Sequence, residues 1–282
     1  MRDEETRTLL GAYDAQLRAH VHERLPPSIH VERDGPLVRV TGFGDRGMIE
    51  YRDLGGLDGG ELDRLIERQV QVFAERGEPV EWKLHGHDLP DDLPERLRAA
   101  GFVPEETETV VIAPVAAVAI DANVPDGVAI REVFERADLS RIGAMEEQVW
   151  RQDHSWIDDL ADEREADPDG LRIFLAEAGD VVVCAGWVRF PSATDFATLW
   201  GGATLPGWRG RGIYRALVAR RARLAAERGR RRARGGRRAT RSRARSARAR
   251  SRECRCARRA RARTRGRRSG QRRGRRRARG RA

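Results

Sequence analysis

Lysine is nearly absent from this 282-residue chain: Lys83 is the single one, and the other 54 bases are arginine. That bias points to a GC-rich genome rather than to a physical requirement. Long apolar runs are missing too. No stretch approaches the ~18 residues that a membrane span needs, so no membrane partner is expected. The first ten residues, MRDEETRTLL, are acidic and hold no apolar segment, so they do not read as a signal peptide. Cysteine is scarce. Cys184 lies in an apolar run and reads as a buried thiol, while Cys254 and Cys256 have neither a histidine nor a further cysteine near them. Four zinc ligands cannot be assembled from that, so no metal is expected, and a reduced, cytoplasmic setting follows.

The net charge of +11 averages two different polymers. Residues 229–282 hold 27 arginines and one acid, Glu253, and carry +26. Residues 1–228 balance at −15. The body is therefore acidic, and the basic average says nothing about what the body binds. The last 54 residues contain no Leu, Ile, Val, Phe, Tyr, Trp, Met or Pro. Such a segment buries no core and repels itself, so disorder is expected. Two readings of it stand. As a genuine arm it would bind nucleic acid nonspecifically. As the product of a shifted reading frame it would replace closing strands of the fold, since all its residue types have GC-rich codons.

The body divides into two units around a small-residue linker at 113–127. In the first, strands are predicted at 38–43, 47–53, 80–84 and 102–112, with a turn at 44–47 and helices at 60–76 and 92–100. In the second, strands are predicted at 128–133, 171–180, 181–190 and 196–205. Helices are predicted at 137–150, around 155–165, and at 214–228. The phrase Ala-Glu-Arg-Gly closes a helix in both units, at 74–77 and 226–229. Both helices follow a strand and a glycine-rich turn, which suggests a tandem repeat.

The most informative segment is TLWGGATLPGWRGRGIYRALV, 198–218. A strand ends near Leu205, Pro206-Gly207-Trp208 turn the chain, and Arg209-Gly210-Arg211-Gly212 leads into an apolar helix. Glycines let successive amides converge, and a helix N-terminus adds unpaired donors and a positive dipole end. Arg209 and Arg211 add full charges. A pyrophosphate suits this arrangement. A Walker loop would need Gly-Lys-Ser/Thr here, and a dinucleotide fold would need G-x-G-x-x-G after its first strand; neither is present.

The segment resembles the pyrophosphate-binding motif of the GNAT-family N-acetyltransferases, Arg/Gln-x-x-Gly-x-Gly/Ala. Arg209, Gly212 and Tyr214 occupy the motif positions, with Tyr214 replacing the usual small residue. The order of elements over 128–228 matches the family as well. The resemblance implies an α/β (α+β) fold: a mixed, mostly antiparallel splayed sheet flanked by helices, with two GNAT-like units in tandem. The units would be a degenerate copy at 1–118 and an acetyltransferase domain at 128–228 lacking its last strands, followed by the tail at 229–282.

It also implies acetyl-CoA as cosubstrate and a small-molecule or peptide amine as acceptor, attacking directly in a ternary complex. Backbone groups of Ala203, Thr204 and Leu205 would pair with the pantetheine arm, and Arg209, Gly210, Arg211, Gly212, Ile213 and Tyr214 would hold the pyrophosphate. Gly201-Gly202 suit a bulge that opens the slot. Candidate bases are Glu146, Glu147 and Asp195. The family's usual downstream tyrosine has no counterpart, and Tyr214 could substitute or simply pack at the helix start. The first unit's turn, Gly55–Glu61, carries two acids and no base, so no cofactor is expected there. His85 and His87 lack a third ligand nearby. Trp200 and Trp208 flank the turn and are candidates to line the acceptor cleft.

Overall fold

The computed structural model describes residues 2–42, 46–151, 154, 156–238 and 247–249. The turn predicted at 44–47 and most of 229–282, including Cys254 and Cys256, lie largely outside them.

The first unit begins with α1 (Arg2–Gln16), followed by strands β1 (His30–Asp34), β2 (Leu37–Thr41) and β3 (Gly47–Tyr51). Next come α2 (Gly59–Arg76), β4 (Val80–Trp82), α3 (Leu93–Ala99), β5 (Phe102–Pro104), β6 (Glu108–Pro114) and the short α4 (Val115–Val118). The second unit runs β7 (Ala129–Glu132), α5 (Arg136–Trp150), α6 (Trp156–Ala166), β8 (Leu171–Ala178), β9 (Val181–Arg189) and β10 (Phe196–Thr204). It continues with α7 (Ile213–Glu227) and β11 (Arg232–Arg238), and β12 (Ala247–Ala249) comes last.

Two mixed sheets result, ordered β1-β2-β3-β4-β12-β5 and β6-β11-β10-β9-β8-β7. Each contains one parallel pair among the described residues, β3 with β4 and β10 with β11, and each pair is bridged by a helix, α2 or α7. That shared unit of strand, helix and parallel strand is the repeat. The repeated phrase ends both helices in the same way. Gly77 and Glu78 donate to the carbonyls of Ala74 and Phe73, and Gly229 and Arg230 donate to those of Ala226 and Ala225. This six-to-one and five-to-two pattern reverses the chain into the next strand.

Helix α2 buries Leu62, Leu65, Ile66 and Phe73 along one face against the first sheet. Each such side chain contributes roughly 1.5–3 kcal/mol. The second sheet is covered on both faces. Helices α5 and α6 close one side with Ile142, Met145, Ile157 and Leu160 over Ile173, Leu175 and Trp187. Helix α7 closes the other with Ile213, Leu217 and Ala225 over Phe174, Val188 and Ala197.

Two expectations are corrected. The division at 118–128 does not follow the sheets, because β6 pairs along its whole length with β11, from Glu108↔Arg238 to Pro114↔Arg232. The strand boundary therefore lies between β5 and β6. Nor is 229–282 structureless throughout, since β11 joins β10 and β6. A strand in the interior of a sheet is held by main-chain bonds on both sides, which arginine and glycine supply as well as valine does. Ala233 gives β11 its buried contact at 4 % exposure, and Arg232 pairs with Asp195 at 2.8 Å.

Candidate active site

Strands β10 and β11 run side by side only from Phe196↔Arg232 to Leu199↔Gly235. Beyond that, β10 continues to Thr204 against β9 alone, while β11 continues to Arg238 against β6. The sheet therefore opens into a slot at the carboxyl ends of its parallel strands, where ligands of open α/β sheets characteristically bind.

The register between β9 and β10 shifts between Gly201 and Ala203. Gly201 and Gly202 adopt φ of 68° and 100°. A Cβ at Gly201 would lie 2.5 Å from the Trp187 ring, and one at Gly202 would lie 2.3 Å from the Tyr214 ring. Two aromatic rings thus close directly on the bulge, and only glycine fits both positions. Arg221 of α7 braces the same place. Its Nη1 donates to the carbonyls of Trp187 (2.9 Å) and Trp200 (2.7 Å), and its Nε donates to that of Leu217 (3.2 Å). The side chain is 1 % exposed, and burial pulls its pKa down to about 10, so it stays charged at neutral pH.

At the mouth of the slot, Pro206–Trp208 form a 3-10 turn and Gly212 (φ 85°) caps α7 without a side-chain bond. Trp208 and Arg209 close the turn through their amides. The amides of Gly210, Arg211 and Gly212 meet no acceptor among the described residues, and those of Ile213 and Tyr214 begin the helix. Arg211 lies over the Trp208 ring, 4.6 Å from its centroid. Arg209 Nε donates to the Thr204 carbonyl at 3.0 Å, holding the open edge of β10. Ile213 is buried and contributes main chain only, whereas Tyr214 is 46 % exposed. The expected trio on β10 divides. The Thr204 carbonyl faces the open side and takes Arg209, Ala203 is buried, and the Leu205 amide turns into the sheet toward the Val183 carbonyl (3.0 Å).

The candidate acids also separate. Glu147 is exposed. Asp195 precedes β10 at its far end, about 30 Å along the strand from Thr204, where hydrogen bonds from Gln16 and Arg232 hold its carboxyl below its usual range. Glu146 sits on the inward face of α5 at 3 % exposure, with the Trp150 indole donating to it at 2.5 Å. Burial pushes its carboxyl above the usual range. Trp200 faces solvent between the guanidinium groups of Arg189 and Arg234. The hollow of about 490 Å³ beside Glu4, Glu5 and Arg231 lies at the Asp195 end of the sheet, away from the loop.

The first unit repeats the geometry, with side chains filling the parting of its strands. Strands β3 and β4 pair from Gly47↔Val80 to Ile49↔Trp82 and then part. At the parting, Arg18 pairs with Asp88 (2.7 Å) and lies over the Tyr51 ring, while the Tyr51 hydroxyl and the His85 amide both donate to Asp88. In the turn above, the Gly55 amide already bonds Asp53, and that of Leu57 bonds the Leu54 carbonyl. His85 contacts the Tyr13 hydroxyl at 3.0 Å, and His87 contacts Asp14.

The acetyltransferase (GNAT) family profile matches residues 137–245. The second unit is a GNAT-family domain. The match runs past residue 228 and takes in β11, as the sheet does. Among solved structures, a GCN5-related N-acetyltransferase from Kribbella flavida superposes with a TM-score of 0.60 at 17 % identity, covering 78 % of this chain and 88 % of its own. One from Sphaerobacter thermophilus gives 0.57 at 13 %, covering 77 % and 80 %. A tandem GNAT protein from the clavulanic acid biosynthesis pathway gives 0.56 at 12 %, covering 78 % of each chain. At these identities the likeness is one of fold, and it extends over both units. The comparison with curated proteins returns no match. Among the described residues, no helix is long and apolar enough to cross a membrane.

Proposed function

We propose that the second GNAT unit transfers an acetyl group from acetyl-CoA to an amine of a small molecule or peptide, by direct attack within a ternary complex. The observation that supports this reading is the set of amides from Gly210 to Tyr214 that meet no acceptor among the described residues, placed at the mouth of a slot beside the bulge. Those amides and the start of α7 would grip the pyrophosphate, with Arg209 and Arg211 neutralising it. The open edge of β10 at Thr204 would align the pantetheine arm. Acetyl-CoA supplies an acyl group activated as a thioester. The protein's part is to fix the two reactants and to exclude water, which together account for much of such a rate enhancement.

The test is thermal unfolding of the full chain with CoA. A ligand that binds only the native state at one hundred times its Kd stabilises by about 2.7 kcal/mol. A rise in melting temperature that disappears in an Arg209→Glu/Arg211→Glu variant is expected. No rise, or an equal rise in the variant, overturns the reading. Thiol release from acetyl-CoA across a panel of amines separates catalysis from binding alone.

A further inference from the structure

We propose that Arg221, besides bracing the bulge, sets an unneutralised positive charge beneath the slot that stabilises the thiolate leaving as the acyl group is transferred. The inference rests on the acetyl-transfer reading and adds to it a positioning residue, one that acts through its charge and touches neither reactant.

Two arginines are buried among the described residues, Arg18 and Arg221. Each stands where a pair of parallel strands parts. Arg18 has a carboxylate, Asp88, at 2.7 Å. Arg221 is the more deeply buried, at 1 % exposure, and its partners among the described residues are the carbonyls of Trp187, Trp200 and Leu217. The titratable groups that face it are the Tyr214 hydroxyl of α7 and the Cys184 thiol of β9. Neither is a carboxylate, and burial pushes the Cys184 thiol up. Arginines elsewhere in the second unit take acids, as Arg172 takes Glu132 and Arg189 takes Glu163. Carbonyl dipoles satisfy the hydrogens of a guanidinium and leave its net charge uncancelled, and such a charge is costly in a dry interior. In those surroundings it acts strongly on whatever charge develops nearby.

The position fits a leaving group. The last pair between β10 and β11 is Leu199↔Gly235, and Trp200, whose carbonyl Arg221 holds at 2.7 Å, is the next residue of β10. The guanidinium therefore lies where the slot begins. It belongs to α7, the helix whose first turn carries the amides of the glycine loop. Side chains are stripped from the sheet at this point. Gly186 pairs with Gly201, and a Cβ on Gly186 would lie 2.8 Å from Arg221 Nη1. A CoA held by its pyrophosphate at the start of α7 extends its arm back along β10, from Thr204 toward Trp200, over about 13 Å. The sulfur stands at the far end of that arm, so it is the part of the cosubstrate brought nearest to Arg221.

The step balances. The amine lone pair forms the C–N bond, the C–S bond breaks, and sulfur keeps the bonding pair as a thiolate. The surplus proton on nitrogen passes to water. Negative charge thus moves onto sulfur during the step. A fixed positive charge favours that charged state, and the transition state leading to it, over the neutral thioester.

The test compares CoA with S-methyl-CoA, whose sulfur cannot ionise, by calorimetry on the full chain. The range runs from about pH 6.5 to about pH 9, which brackets the ordinary thiol value near 8.5. Burial brings Arg221 down only to about 10, so it keeps its charge over this range. A bound sulfur favoured as thiolate ionises at lower pH than the free thiol, so CoA gains affinity over the methylated compound as pH rises. A relative gain of roughly fivefold or more is expected. It should vanish in Arg221→Gln, even though that variant binds both compounds more weakly. Parallel pH profiles for the two compounds, or a gain that Arg221→Gln retains in full, overturn the inference. Should that variant fail to fold, the comparison of the two compounds on the unmutated protein decides. Binding of neither compound sinks the acetyl-transfer reading and this inference with it, whereas binding of both with parallel profiles removes this inference alone.

Discussion

Two glycine turns stand at equivalent places in this molecule, one after β3 and one after β10, and they carry opposite charge. Above β10, the amides of Gly210 to Gly212 meet no acceptor among the described residues, and Arg209 and Arg211 stand in the same loop. Above β3, Asp53 and the Leu54 carbonyl occupy the amides of Gly55 and Leu57, Asp58 and Glu61 add negative charge, and Arg18 with Asp88 fills the parting of the strands. A shared backbone path therefore does not make a shared site. What distinguishes them is the charge beside the amides, two arginines against Asp53, Asp58 and Glu61, and whether the parting of the strands is filled.

That contrast can be broken from either side, and the largest effect is expected in the first unit. Arg18 and Asp88 are both almost fully buried, so Arg18→Met strands a carboxylate and should lower unfolding stability by about 3–5 kcal/mol. Urea denaturation would measure this, and CoA affinity should be unchanged wherever the variant remains folded. In the second unit, Arg221→Met leaves the Trp187 and Trp200 carbonyls without their bridging donor. A loss of about 3 kcal/mol is expected by the same measurement, accompanied by weaker CoA binding, because the bulge relaxes.

Gly212→Val forces a β-branched residue to φ 85°. It should weaken CoA roughly 100-fold by calorimetry, whereas Gly56→Ala in the first turn should leave CoA binding as it was. The smallest effect concerns Asp34, which hydrogen bonds from Arg68 and Gln69 hold at a pKa of about 2. Its folded pKa lies below its unfolded value near 3.8. The stabilisation is therefore full above that value and is lost as pH falls through about 2. Asp34→Asn should lower stability by about 1 kcal/mol at neutral pH, since its partner is half exposed, and should flatten the acid limb of a pH–stability curve.

Elements with periodic apolar faces were legible from sequence. Helix α2, the β8–β9 hairpin and the strand, turn and helix of 196–227 all fall where the spacing of Leu, Ile, Val and Phe puts them. Elements whose side chains carry no such signal were not. Helix α1 is largely exposed, with Tyr13 its one buried residue among the described side chains. β1 is charged and partly exposed. β11 is RARGGRR, placed by main-chain bonds to neighbours distant in sequence. At the site, the glycine loop was readable because its backbone chemistry is local. The separate settings of Glu146 and Asp195 were not, because burial and arginine pairing depend on tertiary contacts that no spacing encodes. The inward turn of the Leu205 amide likewise depends on the bulge two residues earlier.

The loan of β6 has a consequence for how the two halves could ever be parted. A cut within 113–127, where composition alone would place it, leaves β11 with a bare row of peptide donors and acceptors, an invitation to pair with other chains. A viable excision must begin ahead of Glu108 and carry that strand along. The unit with the filled slot is therefore no passenger. What it lends its neighbour is seven residues of plain main chain, an asset that losing every ligand contact of its own would leave intact.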